Sequence, residues 1–484
     1  MKKLTDILKN TPVREVCGDT AAAIGGLVYD SRAVKPGDCF FAVPGTQSDG
    51  HDYIPMAVEK GAAAIVCERM PADAAEGVAY VLVGDSAGAM ANMAAAFYDY
   101  PSRELKLVGI TGTNGKTTTA TLLYDLVRAM GYKAGLISTV AYKIDGREVE
   151  ATHTTPDSIR LNAMMREMAD AGCAYCFMEC SSHAIVQERT RGLDFAGGIF
   201  SNITHDHLDY HKTFAEYIRA KKLFFDGLPK GAFALTNADD RNGRVMVQNT
   251  AAAVSAYSLR AMADFRCKIV EMHLDGMLLR IDGQELWVGL LGRFNAYNLL
   301  AVYGAAALLG LDRGEVLRVL SMLHAVSGRF EKIRAANGTT AIVDYAHTPD
   351  ALENVIQTIE EIRTPSQQLI VVCGCGGDRD RTKRPEMAAI AVKYATTAVF
   401  TSDNPRHESP EAILDDMVAG LEPGARYLRI ADRAEAIRTA VMLSRPGDII
   451  LVAGKGHETY QIVGDVKHPF DDREEIKKRF ALLN

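Results

Sequence analysis

Long apolar runs are what this sequence most clearly lacks. The longest uncharged apolar stretch, 296–311, is interrupted by Asn298 and is shorter than the roughly 20 residues that a membrane-spanning helix needs. The two N-terminal lysines are followed by mixed charged and apolar residues rather than by the apolar core of a signal peptide. We therefore expect a cytoplasmic protein with no membrane insertion, in which 296–311 forms a buried helix.

An excess of positive charge is also missing. Lysine and arginine total 54 against 61 aspartates and glutamates, which gives a formal net charge of -7. Nucleic-acid binding favours a basic surface field, so the composition argues against a nucleic-acid partner. Any anionic ligand must instead be met by local groups.

A disulfide framework is the third absence. The nine cysteines are odd in number and scattered over the 484 residues, a pattern typical of reduced thiols. Cys173 and Cys176 form a CxxC pair, but the pair lies in an apolar, strand-like run and has no second pair to complete a zinc site. We expect both cysteines to be buried and structural.

Changes of pattern along the chain predict an α/β protein of three domains. Residues 1–98 contain short strands and helices and predict a small mixed α/β domain. Residues 99–327 predict a central P-loop ATPase-like domain with a parallel sheet. In residues 328–484 strands and helices alternate regularly, which predicts a Rossmann-like domain with a mostly parallel sheet.

Three polar loops of the last domain each begin where a predicted strand ends. They read GCGGDRD, SDNPRHES and AGKGHE. Ligands bind at the carboxyl ends of strands in open parallel sheets, so these loops are expected to converge on one face.

The segment GITGTNGKTTTA, 109–120, has the character of a phosphate-binding loop but not its usual spacing. Counting back from Gly115 and Lys116, the ordinary pattern requires a glycine where Ile110 stands. Gly112 and Gly115 still permit a tight turn whose N–H groups face an anion, and Lys116 supplies a cation.

The context of the loop supports nucleotide binding over an ordinary glycine-rich turn. An apolar run, 105–110, predicts a buried strand before the loop, and 117–130 has helical periodicity after it. The loop would therefore lie at a helix N-terminus, with the Thr117 hydroxyl available to Mg²⁺. Glu179, at the end of a second apolar strand, is the expected carboxylate for the metal.

A dense group of metal-capable side chains follows in NITHDHLDYH, 202–211. It comprises His205, Asp206, His207, Asp209 and His211. One alternative is a two-metal hydrolase, because His205, His207 and Asp209 match the start of an HxHxDH pattern whose last histidine is displaced by Tyr210. A hydrogen-bonded structural cluster is another. The upstream phosphate loop favours Mg²⁺ and a nucleotide.

Several motifs occur in an order that resembles the Mur ligases. They are GTNGKTTT, ECSSHA, NITHDHLDYH with AEYIRAKKLFF, GRFNAYN, SGRFEK, VDYAHTPDAL, GCGGDRD, DNPR and AGKGHE. The resemblance begins at YDSRAVKPGDCFFAVPG, 29–45, and covers essentially the whole chain. GTNGKTT is this family's own variant of the phosphate loop.

The resemblance implies an ATP-dependent amide ligase that adds meso-diaminopimelate to UDP-N-acetylmuramoyl-L-alanyl-D-glutamate through an acyl phosphate, with ATP and Mg²⁺ and, we expect, as a monomer. Its pathway would be peptidoglycan synthesis, and with it cell shape and division. The implied catalytic residues are Lys116, Glu179, His207, Lys221 and Arg329. The implied metal ligands are Thr117, Glu179, His207 and Lys221 as a carbamate.

The resemblance also implies three binding sets. For ATP they are Gly112, Thr113, Asn114, Gly115, Lys116, Thr117, Thr118, Asn295, Asn298 and Arg329. For the UDP-muramoyl dipeptide they are Ser31, Thr46, Gln47, Ser48, Thr154, Thr155, Ser181, Gln187 and Arg189. For diaminopimelate they are Arg379, Asp403, Asn404, Pro405, Arg406, Gly454 and Glu458.

Plainer readings of these residues stay open at this point. Each hydroxyl is equally compatible with a helix cap or a turn, Asn295 and Asn298 with the cap of the following helix, and DNPR with a proline turn that carries a surface arginine. Lys221 and Lys222 read from composition as a solvated helix face. A folylpolyglutamate-synthase-like ligase and a nucleotide-gated binding module are the competing functions.

Overall fold

The structure is a computed structural model that describes residues 1–45, 48–149, 151, 153–204, 206 and 208–483, with the side chains of Leu208 and Asp209 left out. In this part of the chain no helix is both long and apolar enough to cross a bilayer.

The first 98 residues form a small α/β unit. Its strands are β1 (Lys2–Lys3), β2 (Val13–Cys17), β3 (Ala23–Ile24), β4 (Leu27–Val28), β5 (Cys39–Phe41), β6 (Ala64–Cys67) and β7 (Ala79–Val83), and its helices are α1 (Leu4–Ile7), α2 (Ile54–Glu59) and α3 (Ser86–Phe97). The main sheet has the order β2-β7-β6-β5-β4 and is parallel except for β2. Asp85 caps the N-terminus of helix α3, since its carboxylate accepts from Gly88 N, and the helix packs against the following unit.

The central part of the chain is built on one long mixed sheet. Its strands are β8 (Lys106–Thr111), β9 (Ala134–Ile137), β10 (Tyr142–Ile144), β11 (Arg147–Val149), β12 (Tyr175–Glu179), β13 (Gly197–Phe200), β14 (Phe233–Asn237), β15 (Ala253–Ser258), β16 (Phe265–His273), β17 (Gly276–Ile281) and β18 (Gln284–Val288). Its helices are α4 (Lys116–Ala129), α5 (Ser158–Asp170), α6 (Ser182–Val186), α7 (Leu208–His211), α8 (Phe214–Asp226), α9 (Gly243–Val247), α10 (Arg293–Leu308) and α11 (Arg313–Leu320).

The order of that sheet is β11-β10-β9-β12-β8-β13-β14-β15-β16-β17-β18. The seven neighbouring strands β9-β12-β8-β13-β14-β15-β16 are parallel, as predicted. Antiparallel strands extend both edges of the sheet, with β10 and β11 on one side and β17 and β18 on the other. The predicted strand and helix around the phosphate loop are confirmed as β8 and α4. The predicted buried helix is α10, which is followed by Gly310 at φ +83°.

The last part of the chain is a three-layer α/β unit. Its strands are β19 (Glu331–Arg334), β20 (Thr340–Asp344), β21 (Leu369–Cys373), β22 (Thr397–Phe400), β23 (Tyr427–Arg429), β24 (Ile449–Ala453), β25 (Tyr460–Val463) and β26 (Val466–Pro469). Its helices are α12 (Pro349–Ile362), α13 (Lys383–Tyr394), α14 (Pro410–Val418), α15 (Arg433–Leu443) and α16 (Asp472–Phe480).

The main sheet of this unit has the order β19-β20-β24-β21-β22-β23, and only the β19–β20 pairing within it is antiparallel. The buried strand β24 shows how its faces are covered. Ile449 and Leu451 pack in the core with α12, α13 and α14, whereas Ile450 and Val452 pack with α15 and α16. The alternation of strand side chains thus builds two cores, and the predicted parallel, helix-covered sheet is confirmed.

Strand register determines where the polar loops lie. In the central sheet Ile110 of β8 pairs with Glu179 of β12 and with Ile199 of β13, so the phosphate loop lies between the ends of those two neighbours. In the last sheet β21, β22 and β24 run in parallel and end next to the three predicted polar loops. The cysteines Cys173 and Cys176 are both buried and free, as expected.

Candidate active site

The phosphate loop needs glycine at both predicted positions. Gly112 has φ +149°, and a Cβ there would lie 1.9 Å from Ser201 Oγ. Gly115 has φ +86°, and a Cβ there would lie 2.5 Å from Asn298 Oδ1. The unusual spacing of the glycines therefore follows from the packing of this loop.

Two lysine ammonium groups meet at one carbonyl oxygen of the loop. Lys116 Nζ donates to Gly112 O at 2.9 Å and to Thr113 O at 2.8 Å, and Lys221 Nζ donates to the same Gly112 O at 2.7 Å. Burial lowers the pKa of both lysines, and for Lys221 the neighbouring Lys116 lowers it further. The reading of Lys221 as a solvated surface lysine is wrong, since the residue is 1% exposed.

The carboxylate of Glu179 lies beside the helix N-terminus. Its Oε1 accepts from Thr117 Oγ1 at 2.8 Å and from Thr139 N at 2.7 Å, and the residue is buried. Arg329 Nη2 donates to the same Thr117 hydroxyl at 3.2 Å, and the Arg329 guanidinium stacks on the ring of Tyr345 at 4.5 Å. The structure thus joins Thr117, Glu179 and Arg329, three residues far apart in sequence.

Hydroxyl and carboxylate oxygens are the donors that Mg²⁺ prefers, so Thr117 and Glu179 fit that ion. His207, the third expected ligand, and His205 of the metallohydrolase alternative lie outside the described residues. Within the described ranges no group of three His, Cys, Asp or Glu side chains is arranged to hold a metal.

The phosphate loop is braced by the segment after β13. Thr113 N donates to Asn202 O at 2.8 Å, and Asn114 N donates to Asn202 Oδ1 at 3.0 Å. Behind the loop, Asn295 and Asn298 are buried on α10. Asn298 Nδ2 donates to Asn295 Oδ1 at 3.1 Å, and Asn298 Oδ1 accepts from Thr119 Oγ1 at 3.5 Å.

The two asparagines do not cap α10, whose N-cap is Gly292, so the cap alternative is wrong for them. Thr118, also expected at the nucleotide, is buried in the first turn of α4.

Asp350 at the start of α12 contacts the phosphate loop from the last unit of the chain. Its Oδ2 accepts from Asn114 Nδ2 at 3.0 Å and from Thr204 Oγ1 at 3.2 Å. His347, three residues earlier, lines the cleft into which Asp350 also faces, between the central and last units. Burial lowers the pKa of its imidazole. Sequence reasoning missed both residues. The only signal was the TPD of VDYAHTPDAL, which marks a helix start with Thr348 as cap and Pro349 at the first position.

The residues expected at the muramoyl substrate form a connected polar network next to Glu179. Thr155 Oγ1 donates to Glu179 O at 2.7 Å, and Thr154 Oγ1 accepts from Thr139 Oγ1 at 3.0 Å. Arg189 donates to Thr155 O and to Gln187 Oε1, both at 2.6 Å.

Ser181 also contacts this network, and it caps α6 by accepting from Ala184 N at 3.1 Å, so the cap reading holds for this hydroxyl. In the first unit Ser31 is buried and Ser48 is exposed. Thr46 and Gln47 lie outside the described residues.

The residues predicted to bind the incoming amino acid line a cleft of about 1390 Å³, which is also lined by residues of the central unit. From the three polar loops it is lined by Arg379, Asp403, Asn404, Arg406, Gly454 and Glu458, and from the central unit by Thr154, Thr204 and Asp206. Pro405 is buried, with its carbonyl against Gly377. The predicted convergence of the three loops is confirmed.

Within this cleft the charged groups are held by neighbours. Glu458 Oε2 accepts from Asn404 Nδ2 at 2.9 Å and from Lys455 Nζ at 2.8 Å. Arg406 Nη1 donates to Gly377 O at 2.8 Å. Lys455, which is fully buried, was not anticipated, because nothing in AGKGHE tells a buried lysine from a surface one.

Family profiles match the chain in three consecutive segments. The Mur ligase family catalytic domain matches residues 23–98, the Mur ligase middle domain matches 110–306, and the Mur ligase glutamate ligase domain matches 328–456.

The full-length comparisons agree with the profiles. The UDP-N-acetylmuramoyl-L-alanyl-D-glutamate--2,6-diaminopimelate ligase of Phocaeicola vulgatus is 55% identical over 481 residues, which cover 99% of both chains. A solved structure of a ligase with the same name has a TM-score of 0.71 and 31% identity, and the match covers 100% of this chain and 99% of the other.

A more distant solved structure shares the fold. The MurF ligase of Thermotoga maritima in complex with ADP has a TM-score of 0.62 at 18% identity, and the match covers 95% of this chain and 97% of the other. The phosphate loop with its paired lysines, the cleft beneath the three polar loops and the full-length identity lead to one assignment: the chain belongs to the Mur ligase family.

Proposed function

We propose that the protein is the ATP-dependent ligase that joins meso-2,6-diaminopimelate to UDP-N-acetylmuramoyl-L-alanyl-D-glutamate. Relatives that are 54–55% identical over 99% of the chain carry the name of the 2,6-diaminopimelate ligase. One structural observation carries the proposal. A single cleft contains both residues next to the phosphate loop, such as Thr204 and Asp350, and the oppositely charged side chains of Arg406 and Glu458.

The reaction requires the site to activate a carboxylate, which is a poor electrophile. The glutamyl carboxylate of the acceptor attacks the γ-phosphorus of ATP, and ADP leaves. The amine of the incoming amino acid then attacks the acyl carbon of the resulting acyl phosphate, and phosphate leaves with the bonding electron pair, while the amine gives up a proton. Lys116 and Arg329 stabilise the negative charge on the transferred phosphoryl group.

Mg²⁺ would be held by Thr117, Glu179 and His207, and a carbamylated Lys221 would help to place a second Mg²⁺. The ion supplies charge neutralisation at the phosphates when it is bound. The buried Glu179 keeps the Thr117 hydroxyl directed into the site through their 2.8 Å hydrogen bond.

The charges at the far end of the cleft match diaminopimelate. The Arg406 guanidinium pairs with the distal carboxylate, and Glu458 accepts from the distal ammonium. Lysine has the ammonium but lacks the carboxylate, so it would leave Arg406 without a partner. Arg379, Asp403, Asn404, Pro405 and Gly454 form the rest of this pocket.

We propose that each of the three domains binds one of the substrates. Residues 1–98 bind the UDP-muramoyl substrate, 99–327 bind ATP, and 328–484 bind the amino acid. The acceptor is contacted by Ser31, Thr46, Gln47, Ser48, Thr154, Thr155, Ser181, Gln187 and Arg189, and ATP by the phosphate loop with Asn295 and Asn298. The enzyme acts as a cytoplasmic monomer whose product supports cell division.

The carbamate on Lys221 is supported by the crowding of two cations. Lys116 and Lys221 share the oxygen of Gly112, and the near-complete burial of Lys221 limits the screening of their charges by water. The lowered pKa of Lys221 favours the neutral amine, whose nitrogen attacks the carbon of CO₂ and loses a proton. The product is an anion, which attracts the Lys116 ammonium where a second ammonium would repel it.

Intact-protein mass and Lys221→Ala test the carbamate. We expect a Lys221→Ala variant with little activity that short carboxylic acids partly restore. An unmodified Lys221 in fully active enzyme, together with no rescue of the variant, would reject the modification.

A ligation assay tests the function itself. With the UDP-muramoyl dipeptide and ATP, we expect phosphate release that requires an added amino acid and is much faster with meso-diaminopimelate than with L-lysine or glutamate. Arg406→Ala should lose turnover of diaminopimelate far more than it loses ATP binding. Equal use of lysine, turnover without ATP, or an equal loss of both properties in Arg406→Ala would contradict the assignment.

A further inference from the structure

The hairpin of β25 and β26 lies directly against the DNPR segment, 403–406. Its strands are joined by a two-residue turn in which Gly464 has φ +58°. A parallel bridge connects Val463 of β25 to Arg406. The hairpin therefore contacts the segment that carries the charge expected to select the amino acid.

The backbone of Arg406 depends on this hairpin. Arg406 has φ +52°, in the left-handed region that residues other than glycine seldom occupy without support from their surroundings. Its N–H donates to Ile462 O at 3.1 Å, and its carbonyl accepts from Gly464 N at 2.8 Å. Since φ sets the direction in which a side chain leaves the backbone, these two bonds direct the Arg406 side chain towards Gly377 O, where its Nη1 donates.

The side chain of Gln461 attaches the hairpin to the start of the same segment. Its Nε2 donates to Asp403 O at 2.7 Å and to Ser402 Oγ at 3.3 Å. Gln461 is half-buried. The bond to Asp403 O is a side-chain contact from the hairpin and therefore depends on the identity of residue 461.

Ile462, the next residue of the hairpin, connects through Asn404 to the carboxylate of Glu458. Ile462 N donates to Asn404 Oδ1 at 2.9 Å, and that oxygen also accepts from Lys455 Nζ at 3.0 Å. Asn404 Nδ2 and Lys455 Nζ both donate to Glu458 Oε2. The hairpin thus supports the carboxylate of Glu458 as well as the guanidinium of Arg406.

We propose that Gln461 is a positioning residue for selection of the incoming amino acid. It fixes β25 against Asp403, and β25 then sets the relative placement of Arg406 and Glu458. A cation and an anion held at a set separation select a ligand that carries a carboxylate and an ammonium together at its far end. This inference rests on the proposed function, because it identifies what aligns the two recognising groups in that reaction.

The test is Gln461→Met, which keeps the side-chain volume and removes the donor. Losing a hydrogen bond that aligns a charged pair should raise KM for meso-diaminopimelate about 10-fold. KM for ATP and for the UDP-muramoyl dipeptide should stay within about twofold, because those ligands do not depend on the alignment. The preference for diaminopimelate over lysine, measured as the ratio of kcat/KM values, should fall by a similar factor.

His468→Ala is the matched control, since His468 is exposed and lies directly across the hairpin from Gln461. It should retain the wild-type constants. Gln461→Glu is a second variant, in which a carboxylate oxygen faces Asp403 O, and it should be at least as impaired as Gln461→Met. Thermal unfolding of each variant shows whether the hairpin remains folded.

Unchanged selection in Gln461→Met and Gln461→Glu would overturn the positioning role, as would an equal rise in KM for all three substrates. These results differ from a failure of the proposed function. In that case the wild-type enzyme itself would not couple diaminopimelate.

Discussion

The basic side chains inside the central unit and inside the C-terminal unit differ in their hydrogen-bond partners. At the phosphate loop, the hydrogen-bond partners of Lys116 and Lys221 are backbone carbonyls. In the C-terminal unit, Arg433 forms a bidentate ion pair with Asp472. Both hydrogen bonds are 2.7 Å long, and both side chains are fully buried. Arg384, also fully buried, pairs with Glu408 and Asp416.

The difference separates a binding site from a scaffold. A buried ion pair is neutral as a unit and holds nearby chain in place, whereas the backbone carbonyls that accept from these two lysines carry no counter-charge. Arg433 donates to Ser402 O and Ala453 O, and Arg384 donates to Gly376 O, so the arginines fix the bases of the three polar loops. Lys116 is placed to face the phosphoryl group and Lys221 to carry the proposed carbamate, whereas the arginines hold the loops of the proposed amino-acid pocket.

The largest effect on stability is expected from Arg433→Met. This change leaves the Asp472 carboxylate buried without its partner, which should lower the free energy of unfolding by about 3–5 kcal/mol. Denaturant unfolding of the purified variant measures the loss. The double variant Arg433→Met, Asp472→Leu should recover much of it, because neither charge then remains. A loss below about 1 kcal/mol in the single variant would show that the pair is not structural.

Lys116→Met should show the opposite behaviour. Without the ammonium at the transferred phosphoryl group, we expect kcat to fall about 10²–10³-fold, which corresponds to roughly 3–4 kcal/mol of transition-state stabilisation. The free energy of unfolding should stay the same or rise, since desolvation of the Lys116 ammonium, which lowers its pKa, is then relieved. Ligation kinetics and denaturant unfolding on the same sample measure both effects.

Lys222→Met is the control for Lys116→Met, because Lys222 pairs with Asp226 at 2.5 Å on α8. It should keep near-wild-type kcat. If Lys116→Met lost stability in proportion to its activity, Lys116 would belong with the scaffold cations.

Local sequence signals predicted most of the fold. Helix α12 begins at Pro349 and ends at Ile362, as its flanking prolines and apolar periodicity indicate, and the predicted strands around it are confirmed as β20 and β21. The antiparallel hairpins at the edges of the central sheet were missed. Their strands mix charged and apolar residues, and the side on which they extend the sheet depends on pairing between distant segments.

The site was predictable only in part. Glycine geometry and strand ends indicate the phosphate loop and the three polar loops from sequence alone, because each depends on a few adjacent residues. The burial of Lys221 and the contact of Asp350 with Asn114 depend on packing between residues more than 100 positions apart. Gln461 was also missed, because its partner is a backbone carbonyl, that of Asp403 58 positions earlier, which carries no sequence signature.

The ion pairs of Glu408 in the C-terminal unit predict a smaller effect on the free energy of unfolding, which depends on pH. Hydrogen bonds from Arg384 and then Arg381 lower the pKa of this carboxyl from 4.5 to about 2. Because the pKa is lower in the folded state, the stabilisation is complete above about pH 4.5 and is lost as the pH falls from there towards 2.

Glu408→Gln should therefore be less stable than wild type by about 1–2 kcal/mol at neutral pH, since the side chain is partly exposed. The difference should shrink steadily in denaturant titrations from pH 5 to pH 3. Glu411→Gln, at an exposed position in the first turn of α14, is the control and should show no comparable pH dependence. A Glu408→Gln difference that stayed constant or grew on acidification would mean that ionised Glu408 does not stabilise the fold through Arg384. The contrast between the paired arginines and the phosphate-loop lysines would then fail at this position.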